Sequence, residues 1–256
     1  MYGSAREELT TWSDREPRAG GLGVRALLLV LTVLAILSAA LAMPQAVFAA
    51  DLPALPAAMS RPAHVDFAGE APSADARGVA DWAIASGDSQ GLPFMVVDKP
   101  QARMFMFRRD GTLLGAAPVL LGLATGDDSP PGIGDRPLSA ITPAERITPA
   151  GRFVAELGRN LAGQDILWVD YAAAISVHRA SDPKHGLTRG GRLARLASAS
   201  IADNRISHGC INLSAADYDR LIRPAFAGTA GIVYVLPETR PVGEVFAMAA
   251  RSATPA

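Results

Sequence analysis

Between Ala26 and Met43 the chain reads ALLLVLTVLAILSAALAM, with no charged residue and only Thr32 and Ser38 as polar side chains. Eighteen residues is the lower limit for a helix crossing a hydrocarbon core of about 30 Å. Nothing in the run is amphipathic, so it does not suit a helix resting on a globular core. Arg15, Arg18 and Arg25 precede it; Pro44 and the small-residue stretch Ala46-Val47-Phe48-Ala49-Ala50 follow, with Val47 and Ala49 placed for a signal peptidase. Residues 1–50 are expected to be a signal peptide or, if uncleaved, an N-terminal membrane anchor. Either outcome exports the rest of the chain to the periplasm or cell envelope.

The same run accounts for much of the 49% hydrophobic content and the positive mean hydropathy of +0.19. A net charge of -1 gives no basis for binding nucleic acid. Residues 51–91 are rich in Ala, Pro, Ser and Gly and read as a spacer, interrupted by a short helix over 77–85 where Val79, Trp82 and Ala83 share a face. Residues 92–238 read as the folded domain and 239–256 as a C-terminal tail.

Short strands separated by turns dominate that domain. They are expected at 94–97, 102–107, 112–114, 118–123, 151–157, 166–171, 174–178 and 231–236, with Lys99-Pro100 and Asp110-Gly111 as breaks between the first ones. Helical spacing comes late, at 192–201 and after Ser214, which caps a segment carrying Tyr218, Leu221 and Ile222. The fold class is therefore mostly β with one or two helices. Residues 127–149 hold Pro130, Pro131, Pro137, Pro143 and Pro149 with Gly132 and Gly134. That is too many breakers for regular structure, and a loop this long is expected to face substrate.

The chain has one cysteine, Cys210. An exported domain normally uses cysteines in pairs, and a lone thiol is open to oxidation, so its context decides its meaning. That context is Arg205-Ile206-Ser207-His208-Gly209-Cys210-Ile211-Asn212, with His178 upstream. A thiol with imidazoles nearby supplies the parts of nucleophilic acyl transfer, and an imidazolium or a helix start lowers the thiol pKa. Gly209 lets the backbone approach a substrate, and the amides of Gly209 and Cys210 are candidates for an oxyanion site. Zinc on His178, His208 and Cys210 is a chemically possible alternative, although no short Cys or His pair spacing supports it.

SHGCIN resembles the signature of the L,D-transpeptidase catalytic domain. Phe94 to Lys99 (FMVVDK) looks like that family's first strand, TPAGRF at 148–153 like its TPxGxF segment, and ISVH at 175–178 like the strand carrying its upstream His. The resemblance covers about 92–237. It implies an L,D-transpeptidase-like β-sandwich and a peptidoglycan stem tetrapeptide as substrate. Cys210 would be the nucleophile, His178 the general base and His208 a supporting group, with Gly209 giving an oxyanion amide. Ser207 and Asn212 would support the motif, and the Arg179 carbonyl would orient the His178 ring. Neither metal nor organic cofactor is implied. The chain departs from the family pattern in a long insert over 179–206, which contains a second candidate base, His185, and in Arg179, where a small residue is common. A carboxypeptidase on the same Cys and a catalytically inactive wall-binding module are the alternatives.

Overall fold

The computed structural model describes residues 64–181 and 191–248. The expected signal or anchor segment, the spacer up to residue 63, His185 with its neighbours and residues 249–256 lie outside the described residues.

Ten strands form among the described residues: β1 (Phe94–Asp98), β2 (Arg103–Phe107), β3 (Leu113–Pro118), β4 (Leu121–Gly122), β5 (Gly151–Arg159), β6 (Asp165–Asp170), β7 (Ile175–Arg179), β8 (Arg205–Ser207), β9 (Ile211–Leu213) and β10 (Gly231–Val235). Eight of them make one sheet in the order β3-β2-β1-β10-β5-β6-β7-β9, while β4 pairs with β8 separately. The long strand β5 changes partner along its length, bonding β10 through Gly151–Ala155 and β6 through Glu156–Arg159. The two halves of the sheet share a single core in which Met95, Met106 and Val233 from one half join Leu167, Val177 and Ile211 from the other. The domain is mostly β, as the sequence pattern indicates.

Strands β1, β2 and β10 are buried on both faces, and their period of two sorts their side chains into separate clusters. Met95, Val97, Met104, Met106, Val233 and Val235 face the shared core. Phe94, Val96, Phe105, Phe107, Ile232 and Tyr234 face the other way and form an aromatic layer, with Phe94 stacked on Phe107 at 4.7 Å and Phe67 edge-on to Phe105 at 5.1 Å. Continuous apolar runs such as FMVV are the sequence form of strands buried twice over.

What covers the aromatic layer corrects two expectations. Helix α1 (Ala74–Ala85) lies on it with Val65 and Phe67, so residues 64–91 are part of the body of the domain and not a spacer. Alanines at 76, 80 and 83 are fully buried there; an Ala-rich segment reads as featureless in composition yet suits close packing of a helix on a sheet. The helix starts three residues earlier than its apolar spacing suggests, because Ser73 caps it by accepting from the Ala76 amide at 3.1 Å. His64 is tied to Asp81 at 2.9 Å. At the other end the expected tail is also docked as far as Met248: a short helix α2 (Val242–Val245) brings Phe246 into the same layer.

The later helices differ in detail from expectation. Between β7 and β8, α3 (Arg192–Leu196) ends before Ile201 and gives way to a 3₁₀ turn, Ile201–Asn204. After β9, Ser214 accepts from the Asp217 amide at 3.0 Å and starts a helical segment, Ala215–Asp217, that continues through a π-helical turn, Tyr218–Ile222, into Arg223–Ala225. The proline-rich segment 127–149 folds into three 3₁₀ turns held by a bidentate Arg136–Glu145 pair, with Glu145 also capping Thr142.

One buried cation ties these parts together. The Lys99 ammonium, fully buried just past β1, donates to Gly126 O at 2.6 Å, Asp127 Oδ1 at 2.8 Å and Thr148 O at 2.9 Å. Burial pushes the Lys99 pKa down and Asp127 opposes it. Burial also works against the Asp127 carboxylate, but Lys99, Thr239 and the Glu238 and Thr239 amides hold its pKa far below the usual range. Replacing Lys99 by Met leaves that carboxylate buried without its cation. Lys99→Met is expected to destabilise the protein by about 3–5 kcal/mol, and adding Asp127→Asn to recover part of the loss, as read by urea denaturation followed by tryptophan fluorescence.

Candidate active site

The site is assembled by strand register. Strands β7 and β9 run parallel, with Val177 opposite Ile211 and His178 opposite Asn212. Val177 and Ile211 point into the core, so their neighbours along each strand point to the opposite face. There His178, Asn212, Cys210 and Ser176 come together: Asn212 Nδ2 lies 2.9 Å from His178 Nε2, and Ser176 Oγ lies 3.7 Å from Cys210 Sγ. Residues more than thirty positions apart in the chain are thus neighbours because the parallel pairing of two short strands makes them so.

His178 is held at both ring nitrogens. Nδ1 donates to Arg179 O at 3.0 Å, which leaves Nε2 for Asn212 and the thiol side. The Arg179 side chain turns away, pairs with Asp165 and Asp219 and covers the Tyr218 ring at 4.2 Å. A large residue next to His178 is therefore accommodated without displacing its ring. Burial disfavours the charged ring, but the hydrogen bond to Cys210, the attraction of that sulfur and the Arg179 carbonyl outweigh it and raise the His178 pKa. Burial likewise works against the thiolate; the hydrogen bond and charge of His178, with help from Ser176, lower the Cys210 pKa. The two shifts favour a thiolate–imidazolium pair.

The SHGC turn is closed by its own side chains and by the TPAGRF segment. Ser207 Oγ donates to Cys210 O at 2.6 Å and accepts from the Gly209 amide at 3.0 Å. The Gly209 N–H, a candidate oxyanion donor in the sequence, bonds here to Ser207 Oγ within the turn. The glycine is required for another reason. Its φ is +128°, and a Cβ there would lie 2.7 Å from both Ile147 O and Ile175 Cδ1. Thr148 Oγ1 donates to Gly209 O at 2.8 Å and accepts from the Gly122 amide at the same distance. His208 and Cys210 line one cavity with Ser129, Ile133, Arg136 and Leu138, so the proline-rich segment lies beside the thiol. Burial, then Arg146 and Arg192, lower the His208 pKa and keep it neutral.

The structure thus brings together Cys210, His178, Ser207, Gly209, Asn212 and His208. The insert does not break up the site: Leu196 and Ile206 pack with Leu120 and Ala180 beside the β7 end. Sequence reasoning missed Ser176, which lies inside the ISVH string as an ordinary strand serine, and Thr148 and Lys99. Lys99 carried a signal, since only it and Lys184 are lysines among 24 basic residues. Among the described residues no three His, Cys, Asp or Glu side chains converge as a metal requires, which leaves the zinc arrangement without geometric support.

Comparison with known proteins adds a family. Residues 93–235 match the model of the YkuD L,D-transpeptidase catalytic domain. Among solved structures, the chain is similar to an L,D-transpeptidase from Xylanimonas cellulosilytica at 15% identity, covering 56% of this chain and 60% of that one with a TM-score of 0.34. It is also similar to LD transpeptidase LdtMt1 in complex with imipenem, at 19% identity over 56% of this chain and 58% of that one with a TM-score of 0.31. The chain therefore spans under two thirds of each of these structures. No curated protein matches it.

Because the chain holds one cysteine, alkylation reports the site directly. Removing the His178 cation removes what stabilises the thiolate, so the thiol pKa must rise. In His178→Ala the pH profile of iodoacetamide labelling is expected to move to higher pH, with the neutral-pH rate falling about tenfold or more; an unchanged profile would show that His178 does not set the thiol pKa. Gly209→Ala is expected to cost about 1–3 kcal/mol through strain at positive φ, read as a lowered thermal midpoint with slower labelling.

Proposed function

The chain belongs to the L,D-transpeptidase catalytic domain family, and from that membership we propose that it is an exported, cysteine-dependent peptidoglycan transpeptidase. The observation that carries the reading is the placement of His178, Asn212, Ser176 and Cys210 on one face of the β7–β9 pair, with Cys210 lining a cavity; the directions of the Cys210 and His178 pKa shifts agree with it. Cys210 Sγ attacks the carbonyl carbon of the third residue of a stem tetrapeptide. As the tetrahedral intermediate collapses the C–N bond to D-Ala breaks, His178 Nε2 gives its proton to the departing amine, and a thioester remains. An acceptor amine then loses a proton to His178 and attacks the thioester, forming the new amide and restoring the thiolate. With the Gly209 amide engaged by Ser207, the backbone donor beside the nucleophile is the N–H of Cys210 itself, and we assign the oxyanion to it.

Asn212 and the Arg179 carbonyl fix the ring of the base, Ser207 and Thr148 fix the turn that presents the thiol, and His208 keeps a neutral imidazole on the cavity wall. These are positioning roles, since each acts through the nucleophile or the base. Export rests on the apolar run 26–43 and the arginines before it. If water reaches the thioester before an amine does, the same residues give a carboxypeptidase.

The test incubates the full-length chain with muropeptide tetrapeptides and reads intact mass and released D-Ala. Wild type should gain an acyl adduct and release D-Ala while Cys210→Ala does neither. Cross-linked dimers as products would support transpeptidation, and tripeptides alone would overturn it in favour of hydrolysis. No adduct in either protein would leave a wall-binding module as the better reading.

A further inference from the structure

The end of the β2–β3 hairpin and the helical segment after β9 line a cavity of about 540 Å³ that shares no lining residue with the one beside Cys210. Its size is that of a ligand pocket. Arg108, Arg109 and Arg220 line it together with Asp110, and Leu114 and Pro224 are part of its apolar lining. Three guanidiniums against one carboxylate leave an excess of positive charge there. Arg220 pairs with Asp217 at 2.9 Å. Arg108 and Arg109 have no carboxylate within ion-pair distance, and their guanidiniums have no hydrogen-bond acceptor, among the described residues.

The backbone holds these cations in place. The Arg108 amide donates to Thr112 O at 2.8 Å, Arg108 O accepts from the Gly111 amide at 3.0 Å, and Asp110 Oδ1 accepts from the Thr112 amide at 2.9 Å, so the turn carrying Arg108 and Arg109 is closed on itself. The β2–β3 register shifts between Met106 and Phe107, a bulge of the kind that re-aims the residues around it. From the other side, Gly115 makes room for Arg220: a Cβ at Gly115 would lie 2.9 Å from Arg220 Nη1. The described chain also begins here. Val65 Cγ2 lies 3.7 Å from where a Cβ on Gly111 would sit, and the Val65 amide donates to Asp81 at 2.7 Å. The twenty residues 44–63 that lead back to the apolar run 26–43 therefore join the domain beside the arginine turn.

We propose that Arg108, Arg109 and Arg220 bind the phosphate of an anionic phospholipid headgroup and so hold this end of the domain against the membrane in which the run 26–43 is anchored. The proposal rests on the export reading for that anchor and leaves the acyl-transfer chemistry untouched. Guanidiniums present forked N–H donors that match a phosphate, and arginines at a bilayer surface are drawn to its anionic lipids. Asp110, the carboxylate in the cavity, is taken up by the Thr112 amide and leaves both neighbouring guanidiniums free. Free phosphate has the same chemistry, but the tether decides for the lipid. Residues 44–63 span at most about 70 Å even fully extended, so a domain anchored through 26–43 stays within reach of the headgroups, and the tether enters it at the arginine turn.

The experiment places an environment-sensitive dye beside the cavity. The full-length chain with Thr112→Cys in a Cys210→Ala background carries one thiol, at an exposed position of the arginine turn. It is reconstituted into phosphatidylcholine vesicles with or without phosphatidylglycerol. Phosphatidylglycerol should shift the dye emission to the blue. Arg109→Gln should raise the phosphatidylglycerol content that gives half the shift about fivefold, and Arg108→Gln/Arg109→Gln/Arg220→Gln should abolish the shift. Arg159→Gln, which removes a charge on β5 outside the cavity, should leave it intact. No shift on the labelled chain would overturn the site, and that comparison needs none of the arginine variants to fold. A shift weakened as much by Arg159→Gln as by Arg109→Gln would overturn it in favour of diffuse attraction. A shift with inorganic phosphate in phosphatidylcholine vesicles but none with phosphatidylglycerol would overturn the lipid and leave a soluble phosphate ligand. Flotation with phosphatidylcholine vesicles alone reads the anchor separately: a chain that does not float would overturn the anchoring on which the proposal rests, whatever the emission shows of the site.

Discussion

The fold depends on a buried ammonium. Lys99 leaves β1 and donates to the carbonyls of Gly126 and Thr148 and to Asp127, so one side chain holds both ends of the proline-rich segment. Asp127 in turn accepts from the amides of Glu238 and Thr239 after β10, and Glu238 pairs with Arg205 at the start of β8. A buried charge of this kind is costly unless every donor finds an acceptor; here the three acceptors come from two separate stretches of chain, 126–127 and 148, which makes the network a register lock as well as an ion pair. Its reach extends to the nucleophile. Thr148, fixed through its carbonyl by Lys99, uses its hydroxyl to hold Gly209, and Gly209 shapes the turn from which Cys210 emerges.

The site is thus a surface feature of a deeply anchored scaffold. Cys210 sits between two short strands, β8 and β9, that have little stability of their own, and the turn is held by side chain to backbone bonds from Ser207 and Thr148. The base stands on β7, whose other face is core. Placing Cys210 and His178, the proposed nucleophile and base, at adjacent parallel strands fixes their separation by hydrogen-bond register, which a loop would not do. It also explains why an insert of more than twenty residues between them is tolerated: the connection lengthens, but the pairing of Val177 with Ile211 does not change.

Much of this was legible in the chain itself. Runs such as FMVV and GIVYV announced central strands, and the lone cysteine inside SHGCIN announced the family. The docked stretches 64–91 and 239–248 were not legible, because their alanines and scattered apolar residues bury well only against an aromatic face built from distant strands. Ser176, Thr148 and Lys99 were hidden for a similar reason: each looks like an ordinary residue in a strand or turn, and each acts through a partner tens of residues away.

Sequence by itself determined the residue types that can do chemistry, the two-residue alternation that buries the central strands, and the uncharged run 26–43 on which the proposal of export rests. Tertiary structure decided that His178, Asn212, Ser176 and Cys210 share one face of the β7–β9 pair, and that the Gly209 amide bonds within its own turn. The division has a physical cause. Hydrophobic periodicity and turn chemistry act between near neighbours and are written locally, whereas a pKa, a hydrogen-bond partner or an unneutralised charge depends on which distant strands pair and in what register.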